Sequence, residues 1–152
     1  LCTYGLQSDI RMVGYQKYPS SFIRELDFVV MPSRWEGFPL TPLEVFSVGK
    51  SLIASDIDGI NEIVRHGENG WLVKKEDVEG FSAAMLQFLE DTSMTKRFGE
   101  NGKAYYNAHF SFEQFSEAYH AVYKRVRKEH TYENLDYHTR KATSSRIKRR
   151  CS

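Results

Sequence analysis

The chain has 152 residues, 41% of them hydrophobic and 27% charged, with a formal net charge of +1; this suits one domain with a sizeable core and not comfortably two. No apolar run reaches the roughly 18 residues of a membrane span, and the opening LCTYGLQSDIR lacks the basic region and apolar core of a signal peptide. The two cysteines, Cys2 and Cys151, stand at the extreme ends, which excludes a disulfide scaffold or a zinc site built on cysteine pairs and points to a reducing compartment.

In chain order, IRMVGY over Ile10–Tyr15 reads as a short strand. Ser20 or Ser21 caps a short helix to about Leu26. FVVM after Asp27 is a near-continuous apolar run, expected to be a strand buried on both faces. PSRWEGFP is a loop punctuated by Pro32, Gly37 and Pro39. TPLEVFSVG is a helix with Thr41 at the N-cap, Pro42 at N1, Glu44 at N3 and Gly49 at its end, which makes a capping box. SLIAS over Ser51–Ser55 is the next buried strand, and Asp58 caps a short helix from Gly59 to about Arg65. His66–Gly70 is a turn before the small apolar edge WLV. Val78–Leu89 and Ser93–His109 are helices by their period, and Ser111 or a neighbour caps a third with Phe112, Phe115, Tyr119, Val122 and Val126 on one stripe. Strand and helix alternating predict an α/β fold, a partial Rossmann-like parallel sheet followed by C-terminal helices. The strands are few, as though the first ones were missing.

Ligands of an open α/β sheet bind at the C-terminal ends of its strands. The strand ending at Met31 delivers the Pro32–Pro39 loop there, and the next helix points its N-terminus at the same edge, an arrangement that suits a phosphate. Gly37 admits close backbone approach, and Leu40 and adjoining amides can donate; Pro39 cannot. The loop after Ser55, with Asp56 and Gly59, brings a second set of amides, so that two loops can hold a diphosphate. Glu36 and Glu44 flank the first loop, and a carboxylate accepts from the vicinal hydroxyls of a sugar or ribose. Against this, Glu44 serves equally well as a capping-box acid, and Glu36 as an exposed loop acid. Trp35 reads as either a lid over a ligand or a packing residue.

The stretch from Asp27 to Val73 resembles the donor-binding C-terminal domain of retaining GT-B glycosyltransferases of the large group 1 (family 4) set. The match runs through DFVVMPS, then EGFPLTPLE with seven residues between Glu36 and Glu44, then Gly49-Lys50, Ala54-Ser55-Asp56, GINEIV and NGWLV. IRMVGY upstream and FSFE before the last helix also fit. The resemblance implies that Glu36 is the catalytic-site acid, binding hydroxyls of the transferred sugar rather than acting as a general acid. It further implies that Glu44 binds the ribose, that Gly37 and the amides of Phe38 and Leu40 hold the diphosphate, and that Tyr15 and Gln16 lie near the base. The cofactor expectation is none, with no metal required: a nucleotide-diphosphate sugar is the donor, its leaving group stabilised by cations and amides. Pro39 departs from the glycine common at its position and Ser51 from a proline. The Arg/Lys pair that neutralises the diphosphate in the family has no match here.

Residues 1–123 carry 11 basic and 17 acidic side chains, and residues 124–152 carry 10 and 3. Residues 1–127 are therefore expected to form an incomplete nucleotide-sugar-binding domain, and 128–152 a weakly ordered basic tail. Such a tail suits RNA, DNA or an anionic membrane surface, or is a merely solvated terminus. No nucleic-acid fold surrounds the charges, so no nucleic-acid partner is expected; the solvated terminus is the favoured reading and peripheral membrane contact the alternative. The chain opens on Leu1 and reads as a fragment whose parent is a retaining hexosyltransferase of the cytoplasm or the inner membrane face, acting on a glycan or lipid-linked acceptor. Its missing partner is then an N-terminal GT-B domain, and alone it is expected to be inactive. The alternative is a nucleotide-sugar-binding module that has lost catalysis.

Overall fold

A computed structural model describes residues 4–128 of the chain. The chain divides into two compact units, the first ending at Phe110 and the second starting at Ser111. In the first unit the elements run α1 (Pro19–Ile23), β1 (Phe28–Met31), α2 (Thr41–Ser47), β2 (Ser51–Asp56), β3 (Trp71–Lys74), α3 (Val78–Glu90) and α4 (Thr92–His109).

The three strands form one parallel sheet in the order β1-β2-β3. Phe28 is opposite Ser51 and Met31 opposite Ala54, and Ile53 is opposite Trp71 and Asp56 opposite Lys74. β2 is central, and each residue from Ser51 to Ser55 is buried. Its alternating side chains separate two cores. Leu52 and Ala54 pack with Val45, Phe46, Ile60, Ile63 and Val64, whereas Ile53 packs with Val73, Phe81, Phe88 and Phe98. The second core is rich in rings, with Phe88 edge-on to both Phe28 and Phe98 at centroid distances of 5.4 and 5.8 Å.

α3 and α4 begin where aspartates stop the chain from drifting. Asp77 accepts from Gly80 N–H at 2.9 Å, and Asp91 accepts from Met94 N–H at 2.9 Å and from the Ser93 hydroxyl at 2.6 Å. Each satisfies donors that a first helical turn leaves open. α2 ends at the left-handed Gly49 (φ 75°), whose N–H bonds to Phe46 C=O while Lys50 N–H bonds to Val45 C=O.

Several expectations are corrected. Ile10–Tyr15 is not a strand: the segment is exposed, with Met12 at 82% and Tyr15 at 90%, because β-propensity needs a neighbouring strand to pair with and β1 is not paired to it. β1 is half-buried along its length rather than covered on both faces, as befits a strand at a sheet edge. α1 starts at Pro19 after Tyr18, without a side-chain cap. The segment Gly59–Arg65 is a run of turns rather than a helix, with bonds from Asn61 N–H to Ile57 C=O and from Val64 N–H to Ile60 C=O. The last helix is present in the second unit, helical over 112–128, with Ser111 Oγ accepting from Gln114 N–H at 3.2 Å. The basic stretch beyond 128 and both cysteines lie outside the described residues.

Candidate functional site

The loops after the three strands meet at the C-terminal edge of the sheet. Parallel pairing of β1 with β2 and of β2 with β3 dictates this, because it sends all three chain exits the same way. A cavity of about 370 Å³ lies among them, lined by Arg34, Trp35 and Glu36 after β1, Ile57 and Asp58 after β2, and Lys75 after β3.

The first loop is fixed at three places. Ser33 Oγ donates to Glu36 Oε1 at 2.9 Å, which aims the carboxylate and leaves its other oxygen to accept elsewhere. Arg34 Nε pairs with Glu76 Oε1 at 3.0 Å, tying this loop to the segment after β3. Both partners are largely exposed, so the pair orients more than it stabilises. The third anchor is steric. Gly59 has φ 83°, and a Cβ there would stand 2.2 Å from the carbonyl oxygen of Gly37. The backbones of the first and second loops therefore touch where only glycine fits.

The sequence-predicted residues divide accordingly. Glu36 lines the cavity, and Gly37 abuts the second loop. Trp35 is 79% exposed and lines the cavity, so the packing alternative for it is set aside. Phe38 and Leu40 are exposed at 52% and 66%, and the Phe38 ring lies 6.3 Å from that of Phe110. Glu44 is half-buried in the first turn of α2. Its capping-box role is corrected: Leu40, in αR conformation, takes the N-cap without a side-chain bond, and Glu44 N–H bonds to Leu40 C=O. The helix thus starts one residue early and the Thr41–Glu44 register is lost. α2 has only seven residues, so the anion-attracting capacity of this edge lies with loop amides more than with a long helix dipole. Tyr15 is exposed, and Gln16 Nε2 donates to Val13 C=O at 2.9 Å; neither is brought to the loop by a hydrogen bond or ring contact among the described residues.

Sequence reasoning missed Ser33, Lys75 and Glu76. Glu76 carried a signal only in hindsight: it is a non-glycine residue at φ 64°, just past β3 where the sheet delivers chain to the same edge. Among the described residues no group of three or more His, Cys, Asp or Glu side chains is placed to hold a metal ion. No described helix is long and apolar enough to cross a membrane.

The sequence matches the model of the family "Glycosyl transferases group 1" over residues 2–105. A lipopolysaccharide core biosynthesis mannosyltransferase, LpsB of Rhizobium meliloti (strain 1021), is 34% identical over 124 residues, which is 80% of this chain and 35% of that protein. Among solved structures, the C-terminal domain of a glycosyl transferase group 1 family protein (LpcC) from Francisella tularensis superposes with a TM-score of 0.64 at 24% identity, covering 73% of this chain and 58% of that one. HepE of Anabaena, solved in complex with UDP and glucose, superposes with a TM-score of 0.79 at 22% identity, covering 81% and 34%. The fold is that of GT-B glycosyltransferase C-terminal domains, and the chain spans about a third of the length of the curated relative above. The chain belongs to the group 1 glycosyltransferases.

Proposed function

We propose that this group 1 glycosyltransferase chain is the donor-binding part of a retaining hexosyltransferase. The whole protein moves a hexosyl unit from a nucleotide-diphosphate sugar to a glycan or lipid-linked acceptor, in the cytoplasm or at the inner face of the membrane. One observation carries the reading. The loop bearing Glu36 and leading into Glu44 is locked to the second loop at the C-terminal edge of a parallel sheet, through the Gly37–Gly59 approach. Such an edge is where an α/β sheet binds nucleotides.

In this reading Glu36, with one oxygen held by Ser33, accepts from hydroxyls of the transferred sugar through the other. Glu44, freed from a capping box, accepts from the ribose. A carboxylate suits both tasks because vicinal hydroxyls present two donors to its paired oxygens. Gly37 and the amides of Phe38 and Leu40 meet the diphosphate, where fixed donors favour the charge that grows on the leaving group. Tyr15 and Gln16 lie toward the base. No metal and no further cofactor enters. In the whole protein an N-terminal GT-B domain supplies the acceptor site and the front half of the donor-binding domain supplies the neutralising cations, so this chain alone binds donor without transferring from it. The uridine nucleotide of the Anabaena complex supports UDP as the first probe.

Calorimetric titration of UDP into the chain should show weak binding that falls by about tenfold or more in Glu44→Ala, the loss of a charged hydrogen-bond acceptor. Equal affinity for the two proteins removes Glu44 from the ribose.

A further inference from the structure

The opposite end of the sheet holds a second cavity, which donor binding does not use. It measures about 400 Å³ and lies among the starts of β1 and β2, the end of α3 and the first turns of α4. In a parallel sheet the strand starts face away from the edge where the outgoing loops meet. β2, six residues long, sets about 16 Å between the two edges at roughly 3.3 Å per residue. The volume falls in the range of about 300–1,000 Å³ usual for small-molecule sites. All the lining residues belong to the first unit.

A backbone contact fixes the shape of this cavity. A Cβ on Gly99 would stand 2.2 Å from the carbonyl oxygen of Gly49, so the turn carrying Lys50 and Ser51 is pressed onto α4, one turn beyond Lys96. Ser51 opens the central strand and, by alternation, shares the face of Ile53, which packs toward α3 and α4. It is 1% exposed and lines the cavity, and its hydroxyl has no hydrogen-bond partner among the described residues. A buried hydroxyl without a partner is costly, and such a group in a native fold calls for one. Lys50, Lys96 and Asp27 line the same cavity, and none of the three is in an ion pair among the described residues. Phe28 and Leu89 add an apolar wall. Two ammoniums match the charge of about −1.5 to −2 on a phosphate monoester, which lysine binds as a point charge. A bare anion would leave the Asp27 carboxylate opposing it, whereas an ester with free hydroxyls gives that carboxylate donors to accept from, and Ser51 Oγ both donates and accepts.

We propose that this cavity is a second ligand site, for a sugar phosphate, with the phosphate at Lys50 and Lys96 and the sugar hydroxyls at Asp27 and Ser51. It shares no residue with the donor edge and stands whether or not the donor reading holds.

The test is calorimetric titration of the full 152-residue chain with glucose 6-phosphate, and with inorganic phosphate and glucose as controls. The expected result is binding of the ester at least about tenfold tighter than of either control, and a loss of about tenfold in Lys96→Ala, whose side chain is exposed on α4. Ser51→Ala should weaken the ester severalfold while raising the thermal midpoint of the ligand-free chain, because it removes an unpaired buried hydroxyl; a serine with a purely structural role would move the midpoint alone. UDP titration of the same two variants reports separately on the donor edge and should match that of the natural chain. Failure of the ester to bind overturns the proposal, and so does binding that both variants leave unchanged, which would place the ester elsewhere. Equal affinity for inorganic phosphate also overturns it, by leaving the hydroxyls no part in recognition.

Discussion

β2 and the loop after β1 lie side by side in the fold and obey opposite rules. Every residue of β2 from Ser51 to Ser55 is buried, and its place is set by apolar packing on two faces. The loop from Pro32 to Leu40 is mostly exposed, with Trp35 at 79%. Its place is set by one hydroxyl on a carboxylate, one ion pair and one backbone contact. Burial energy spreads over many atoms and tolerates small errors poorly everywhere. A loop held at a few points tolerates most changes and fails at those points. The strand should therefore govern stability and the loop should govern ligand binding.

The largest expected effect tests the interior. Phe46→Ala empties a fully buried site against β2 and should cost about 3–5 kcal/mol in denaturant unfolding. Gly59→Ala probes the seam between the two regimes. The added methyl meets Gly37 C=O at positive φ, so the change should cost more than about 1 kcal/mol and abolish UDP binding as well. Retained affinity at lowered stability would separate the seam from the site.

A third prediction concerns acid. The hydrogen bond from the Ser93 hydroxyl, followed by that from Met94 N–H and the charge of Arg97, holds the Asp91 carboxyl below its ordinary value. A carboxylate lowered on folding stabilises above its unfolded pKa and loses that contribution as pH falls through the folded one. The stability advantage of the natural chain over Asp91→Asn should accordingly shrink on acidification below the usual aspartate range; a gap that stays constant with pH would contradict it. The smallest effect is expected at the exposed Arg34–Glu76 pair. Arg34→Ala should change stability by less than about 1 kcal/mol while weakening UDP binding measurably, a dissociation that β2 substitutions should not show.

Much of the fold was legible because the signals were local. FVVM, SLIAS and WLV are short apolar runs between turn residues, and α3 and α4 follow aspartate caps and a helical period. IRMVGY offers β-prone Ile10, Val13 and Tyr15 but is not a strand, because strand formation is settled by a pairing edge and not by the segment. The capping box shows the same limit on a finer scale. Thr41 and Glu44 have the right spacing, yet the backbone of Leu40 enters the helix first, and a shift of one residue voids the motif. The Ser33–Glu36 bond was local enough to be found and was missed. Arg34–Glu76 joins segments far apart in sequence, and nothing in either segment names the other.

By itself the sequence determined the alternation of strand and helix, the group 1 resemblance and the pair of glutamates, because periodicity, turn chemistry and residue spacing are written along the chain. Tertiary structure alone decided that Gly59 must be glycine to admit Gly37, that Lys75 joins the cavity of Glu36, and that Tyr15 stands exposed outside any strand. Each of those depends on which backbone comes to lie beside which, a long-range outcome of burying β2 on both faces that no local pattern encodes.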